Sequence, residues 1–115
     1  KASYAEALKR FPFNPEAYLA QARVSLVDGN SEDARDFLLK AADAKRDYAP
    51  AHFLLAQLEA SSGNLSEAIS RAETTVLLVP NDIGALFQLG LLYYQNKNFP
   101  DARIVLERAA ELNSN

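Results

Sequence analysis

The segment Leu86–Leu106, LFQLGLLYYQNKNFPDARIVL, decides the fold because a glycine stands in the middle of its apolar half. A glycine inside a helix costs about 1 kcal/mol relative to alanine, and it weakens a strand as well. Leu86, Leu89, Gly90 and Tyr93 nevertheless follow the i, i+3, i+4, i+7 spacing of one helical face. The pattern predicts a helix, a break at QNKNF, and a second helix whose close packing compensates for Gly90.

Residues of one kind recur at intervals of 34 along the whole chain, which predicts a repeat architecture. The columns include Ala22, Ala56 and Gly90; Ala34, Ala68 and Ala102; and Gly29, Gly63 and Lys97. Three two-helix copies therefore tile residues 15–48, 49–82 and 83–115. Residues 1–14 match the second helix of a preceding, truncated copy. We interpret the chain as one continuous domain cut from a longer protein.

The predicted helix ends carry suitable residues. Asn14 precedes a proline, a combination typical of an N-cap followed by the first helical turn. Asn30 and Asn64 precede acidic first turns, which suit the helix dipole. Gly29 and Gly63 lie where the first helix of each copy must stop, so we expect left-handed backbone at both.

The third copy, Leu86-x-x-Leu89-Gly90-x-x-Tyr93 followed by Ala102-x-x-x-Leu106, resembles the tetratricopeptide repeat. The resemblance implies an all-α fold: a right-handed α-solenoid of antiparallel helix hairpins, with about three and a half 34-residue repeats. It also implies that the first helices line a concave groove. Gly90 would then face the second helix of its own copy, near Ala102.

The same resemblance assigns groove positions, and it implies a protein–protein interaction scaffold that binds a peptide or helix of a partner. Three apolar candidates lie 34 residues apart, and exposed apolar residues of this kind are typical of a docking surface. The alternative is that they pack against adjacent helices. Only one candidate is cationic, so we do not expect binding of acidic chaperone tails. The groove candidates are Leu19, Arg23, Leu26, Phe53, Gln57, Phe87, Leu91 and Tyr94.

Two alternatives concern the chain as part of something larger. It could be a structural or self-association segment of a larger enzyme or membrane protein, with no ligand of its own. The final helix, predicted at 100–112, has an apolar face that a homodimer would bury. Its apolar residues are Ile104, Val105, Leu106 and Leu112.

Composition argues against several other functions. The 115 residues are 49% hydrophobic and 23% charged, with a net charge of −3, which is typical of a globular domain. No basic block predicts nucleic-acid binding, and no apolar run is long enough to predict membrane contact by this segment. The absence of cysteine excludes disulfides, fits a reducing compartment and favours the cytoplasm.

No residue set predicts catalysis, a cofactor or a metal site, so we do not expect an enzyme. His52 is the only histidine, and it falls in a packing column with Tyr18 and Leu86. The four glycines form no phosphate-binding loop. Glu59 is unexpected because it occupies the column of Tyr93, and we expect the helix to turn so that Leu58 packs in its place.

Overall fold

The computed structural model describes residues 14–113, and these form six α-helices and no strand. The predicted all-α fold class is confirmed. The predicted half repeat over residues 1–14 lies outside the described residues, apart from Asn14. The helices are α1 Pro15–Val27, α2 Ser31–Ala44, α3 Ala49–Ser61, α4 Leu65–Leu78, α5 Ile83–Gln95 and α6 Phe99–Asn113.

The chain divides into two compact units, and the boundary between Leu55 and Ala56 falls inside α3. In the first unit α1 packs on α2, and the rings of Tyr18 and Phe37 lie 6.5 Å apart. In the second unit α4 packs on α5, and α5 packs on α6. Each predicted copy contains two helices, and the copy boundaries themselves stay a prediction.

The turns after α1, α3 and α5 share one hydrogen-bond pattern. Their left-handed residues are Gly29, Gly63 and Lys97, with φ of 82°, 86° and 65°. Each donates its N–H to the carbonyl three residues earlier, at 3.0–3.1 Å, and the following asparagine donates to the carbonyl five residues earlier, at 2.8 Å. This is the Schellman motif, so the left-handed backbone predicted at both glycines is confirmed.

The helix N-termini follow the prediction in part. Asn14 caps α1, because its Oδ1 accepts from the N–H groups of Glu16 and Ala17 at 3.0 and 3.3 Å. Asn30 and Asn64 occupy the predicted N-cap positions, but neither side chain makes a capping hydrogen bond. The Asn64 side chain is used elsewhere, since its Nδ2 donates to a carboxylate oxygen of Glu59 at 3.2 Å.

Small side chains allow α5 and α6 to approach closely at Gly90. A Cβ added there would lie 2.5 Å from both Cγ and Cδ2 of Leu106, which is closer than side-chain atoms can pack. The predicted contact with the second helix of the same copy is confirmed. The neighbour is Leu106, which lies one helical turn beyond the predicted Ala102.

The core of the second unit brings together the end of α3 with α4 and α5. Small residues dominate on α3 and α4, and leucines on α5 fill the space between them. The buried cluster comprises Ala56, Ala68, Ile69, Ala72, Leu89 and Leu92.

Glu59 does not rotate out of the core, and the prediction that Leu58 replaces it is wrong. Both side chains are buried, and Glu59 is only 3% exposed. The carboxylate tolerates burial because Asn64, on the following turn, donates a hydrogen bond to it.

Candidate functional site

Helix α5 has the sequence IGALFQLGLLYYQ, and none of its 13 residues is Asp, Glu, Lys, Arg or His. One side of the helix is buried in the core. The other side carries four apolar residues at i, i+4, i+8 and i+11, which places them on one face. We call them the apolar stripe: Ile83, Phe87, Leu91 and Tyr94, with exposed fractions of 39%, 53%, 42% and 61%.

A cleft of about 390 Å³ lies between the end of α3 and α5, within the second unit. Leu91 belongs both to this cleft and to the apolar stripe. Amide, hydroxyl and apolar groups line the cleft, and no charged side chain does. The lining residues are Ala56, Gln57, Ala60, Ser61, Gln88, Leu91, Leu92 and Gln95.

An aromatic pair lies at the C-terminal end of the stripe. The rings of Tyr94 and Phe99 are 5.4 Å apart and inclined at 65°, an edge-to-face arrangement that aromatic pairs favour. Both rings remain exposed. The first turn of α6 therefore holds the Tyr94 ring in place beside the cleft and extends the apolar surface.

Four of the predicted groove residues come together in the second unit. Gln57 and Leu91 line the cleft, and Phe87 and Tyr94 lie on the apolar stripe beside it. Sequence reasoning did not include Ile83 among the groove candidates. The absence of charge throughout α5 was the signal that could have revealed the whole stripe.

The other four predicted residues lie in the first unit. Arg23 is exposed, and Leu26 and Phe53 are half-buried. Leu19 is 8% exposed, so it packs within the fold and leaves little side-chain surface for a ligand. The alternative raised for these positions, packing against neighbouring helices, fits Leu19 best. The continuous column through Leu19, Phe53 and Phe87 stays a prediction.

His52 has a structural environment. Its ring is buried, and Nε2 lies 2.9 Å from the backbone carbonyl oxygen of Arg46, to which it donates. This contact fixes α3 to the preceding loop. Within residues 14–113, no group of three His, Cys, Asp or Glu side chains is arranged to hold a metal ion. Over the same residues, no helix has both the length and the apolar character needed to cross a bilayer.

A tetratricopeptide repeat family model matches residues 1–50 and 53–115. The chain belongs to the tetratricopeptide repeat family. The protein SGT1 homolog of Bos taurus is 31% identical over 90 residues, which cover 78% of this chain and 27% of that protein. The chain therefore spans about a quarter of the length of this relative.

Solved structures show the same fold. The crystal structure of MamA matches with a TM-score of 0.89 at 24% identity, over 98% of this chain and 66% of that chain. A chain of the APC/C hetero-tetramer Cut9–Hcn1 matches with a TM-score of 0.87 at 23% identity, over 95% of this chain and 21% of its own. The prediction of tetratricopeptide helix hairpins is confirmed, and this repeat fold is typical of protein–protein interaction scaffolds.

Proposed function

We propose that this chain acts by binding another protein, and that the apolar stripe and the adjoining cleft receive a peptide or helix of the partner. The observation that carries the proposal is the exposure of Ile83, Phe87, Leu91 and Tyr94 along one face of α5. Four apolar side chains in a row beside a cleft are typical of a docking groove. The activity proposed is binding without catalysis, as in the scaffolds that share this fold.

A comparative pull-down tests the proposal. The immobilised chain is compared with a Phe87→Ser/Leu91→Ser variant, which removes the centre of the stripe. Leu77→Ser is the matched control, because Leu77 is 82% exposed but lies on α4, outside the groove. We expect specific partners to disappear with the double variant and to remain with the control. A double variant that retains every partner of the unaltered chain would contradict the proposal.

Self-association through α6 is a second candidate function. Ile104 is exposed on this helix, and Val105 and Leu106 beside it are half-buried. A second copy could bury this face. Light scattering over a range of concentrations tests the idea with Ile104→Ser as the variant. A chain that stays monomeric at every concentration would exclude it.

A further inference from the structure

We infer that the groove of the second unit receives an amphipathic helix, which lies along α5 and presents a face that is apolar and uncharged. This inference rests on the proposed binding function. It goes further by specifying the conformation and the charge of the partner segment. Three observations support it: the electrostatic neutrality of the groove, the direction of the apolar stripe, and the lack of backbone hydrogen-bonding groups along that stripe.

The neutrality of the groove specifies the charge of the partner face. No Asp, Glu, Lys, Arg or His occurs in α5 or in the cleft lining. Glu59 is the one acid in the α3 segment of this unit, and it is buried beside Asn64. Most charged residues of the unit lie on α4 and α6, and two others lie at the ends of α5, where Asp82 precedes the helix and Lys97 follows it. Those on α4 and α6 include Glu67, Arg71, Glu73, Asp101, Arg103 and Glu107.

A charged partner residue placed on the middle of the stripe, against Phe87 or Leu91, would lose its hydration and would find no opposite charge there. An uncharged apolar side chain there gains from burial instead. Complementarity therefore favours a neutral partner face, and it disfavours acidic tails and basic peptides alike. The glutamine amides of Gln57, Gln88 and Gln95 can receive polar, uncharged groups at the margin of such a face.

The direction of the stripe specifies the conformation. The stripe extends over 12 residues of α5, from Ile83 to Tyr94, and these 11 steps span about 17 Å at a rise of about 1.5 Å per residue. A helix packed alongside would contact it with side chains at i, i+4, i+7 and i+11. Such a helix satisfies its own backbone hydrogen bonds and needs only side-chain contacts.

An extended peptide fits the same surface less well. Along the stripe its N–H and C=O groups would lie against Ile83, Phe87 and Leu91, whose side chains offer no hydrogen bond, and the glutamine amides of the cleft could pair only with the groups at the margin. A strand gains most of its affinity from main-chain hydrogen bonds to a sheet edge, and α5 has no such edge because its own backbone groups are paired within the helix. The stripe therefore favours a partner that is already helical.

Two displayed peptide libraries test the inference against the intact chain. In the first, all residue types, charged ones included, are allowed at positions i, i+4, i+7 and i+11 of a helix-forming background. In the second, four positions randomised in the same way alternate with fixed polar residues. Both are selected on the unaltered chain and counter-selected on Phe87→Ser/Leu91→Ser. We expect binders from the helical library, with no charged residue at the four randomised positions.

The affinity of a selected peptide is then measured by fluorescence anisotropy at low and high salt. Screening weakens contacts between charges and leaves apolar contacts almost unchanged, so we expect a change of less than about twofold. A glutamate placed at the second apolar position should weaken binding by about tenfold or more. Leu77→Ser is the control variant and should bind as the unaltered chain does.

The outcomes separate the inference from the function on which it rests. Binders from the alternating library alone, or binders with a charged face and strong salt dependence, would overturn the inference and leave the binding function standing. The absence of any binder sensitive to Phe87→Ser/Leu91→Ser would overturn both. Sedimentation of the unaltered chain, but not the double variant, with phosphatidylcholine vesicles would show that a lipid surface occupies the stripe instead.

Discussion

Leu106 of α6 covers the face of Gly90 that lacks a side chain. A Cβ on Gly90 would come within 2.5 Å of two Leu106 carbon atoms, whereas a Cβ on Gly84, in the same helix, would meet only Asp82 Oδ1 at 3.4 Å. The two glycines of α5 therefore occur at their positions for different physical reasons. Gly90 permits the close approach of two helices, whereas a side chain at Gly84 would make only an ordinary contact with the Asp82 carboxylate near the helix start.

Gly90→Leu should lower the free energy of unfolding by about 1–3 kcal/mol, because the added side chain overpacks the contact with Leu106. Urea denaturation measures the change. Gly84→Ala is the control and should be neutral or stabilising, since alanine favours a helix. Adding Leu106→Ala to Gly90→Leu should restore part of the loss, because it opens space at the contact. A Gly90→Leu chain as stable as the original would contradict this packing.

Lys97→Gly should raise the free energy of unfolding by about 0.5–1 kcal/mol. Lys97 adopts φ of 65° in the same Schellman turn that Gly29 and Gly63 form, and a side chain makes this conformation unfavourable. The greater freedom of glycine in the unfolded chain offsets part of the gain. The reverse change, Gly63→Lys, should destabilise by a comparable amount. Thermal and urea denaturation measure the stability of both variants. If Lys97→Gly and Gly63→Lys changed the free energy of unfolding equally and in the same direction, the cost of left-handed backbone could not be the cause.

The repeat spacing predicted the fold well, because each column reports a backbone requirement that recurs in every copy. The columns of Gly29 and Ala22 marked a left-handed turn and a close helix contact, and the structure has both. The predicted neighbour of Gly90, Ala102, lies one helical turn before the observed neighbour, Leu106. Repeat spacing alone does not determine the axial offset between two packed helices.

The candidate site was harder to predict because the family pattern assigns positions without regard to local burial. It selected Leu19, whose side chain packs inside the first unit, and it omitted Ile83, which is exposed on the stripe. The environment of Glu59 was also unpredictable. Its hydrogen bond comes from Asn64, five residues away on the next turn, whereas the sequence pattern predicts that this asparagine caps the following helix.

Asn64→Ala should lower the free energy of unfolding by about 1–2 kcal/mol, since it removes a hydrogen bond to the buried Glu59 carboxylate. Asn30→Ala is the matched control: Asn30 occupies the same position of an equivalent turn and makes no capping hydrogen bond. We expect it to change stability by less than about 0.5 kcal/mol. Urea denaturation of the two variants should therefore differ clearly, and equal effects would show that the Glu59 contact contributes nothing.

The stability of the second unit should fall at alkaline pH because of Tyr93. Its hydroxyl donates to Glu73 Oε2 at 2.6 Å. Partial burial, this hydrogen bond, and the negative charges of Glu73 and Asp101 together raise the pKa of Tyr93 above its usual value of 10.0. Because the folded-state pKa lies above the unfolded-state pKa, the Tyr93 hydroxyl makes its full contribution to the free energy of unfolding below about pH 10. That contribution declines as the pH rises further.

Tyr93→Phe removes the titrating hydroxyl, so the difference in free energy of unfolding between the unaltered chain and this variant should be constant near neutral pH. Above about pH 10 the unaltered chain should lose stability relative to the variant. Urea denaturation at neutral and alkaline pH measures that difference. Tyr94→Phe is the control, because it keeps the ring beside Phe99 and leaves the Tyr93–Glu73 contact in place. Absorbance titration of the five tyrosines gives an independent check, since Tyr93→Phe should remove a late-titrating group. A pH-independent difference between the unaltered chain and Tyr93→Phe would mean that this hydroxyl has the same pKa in the folded and unfolded states.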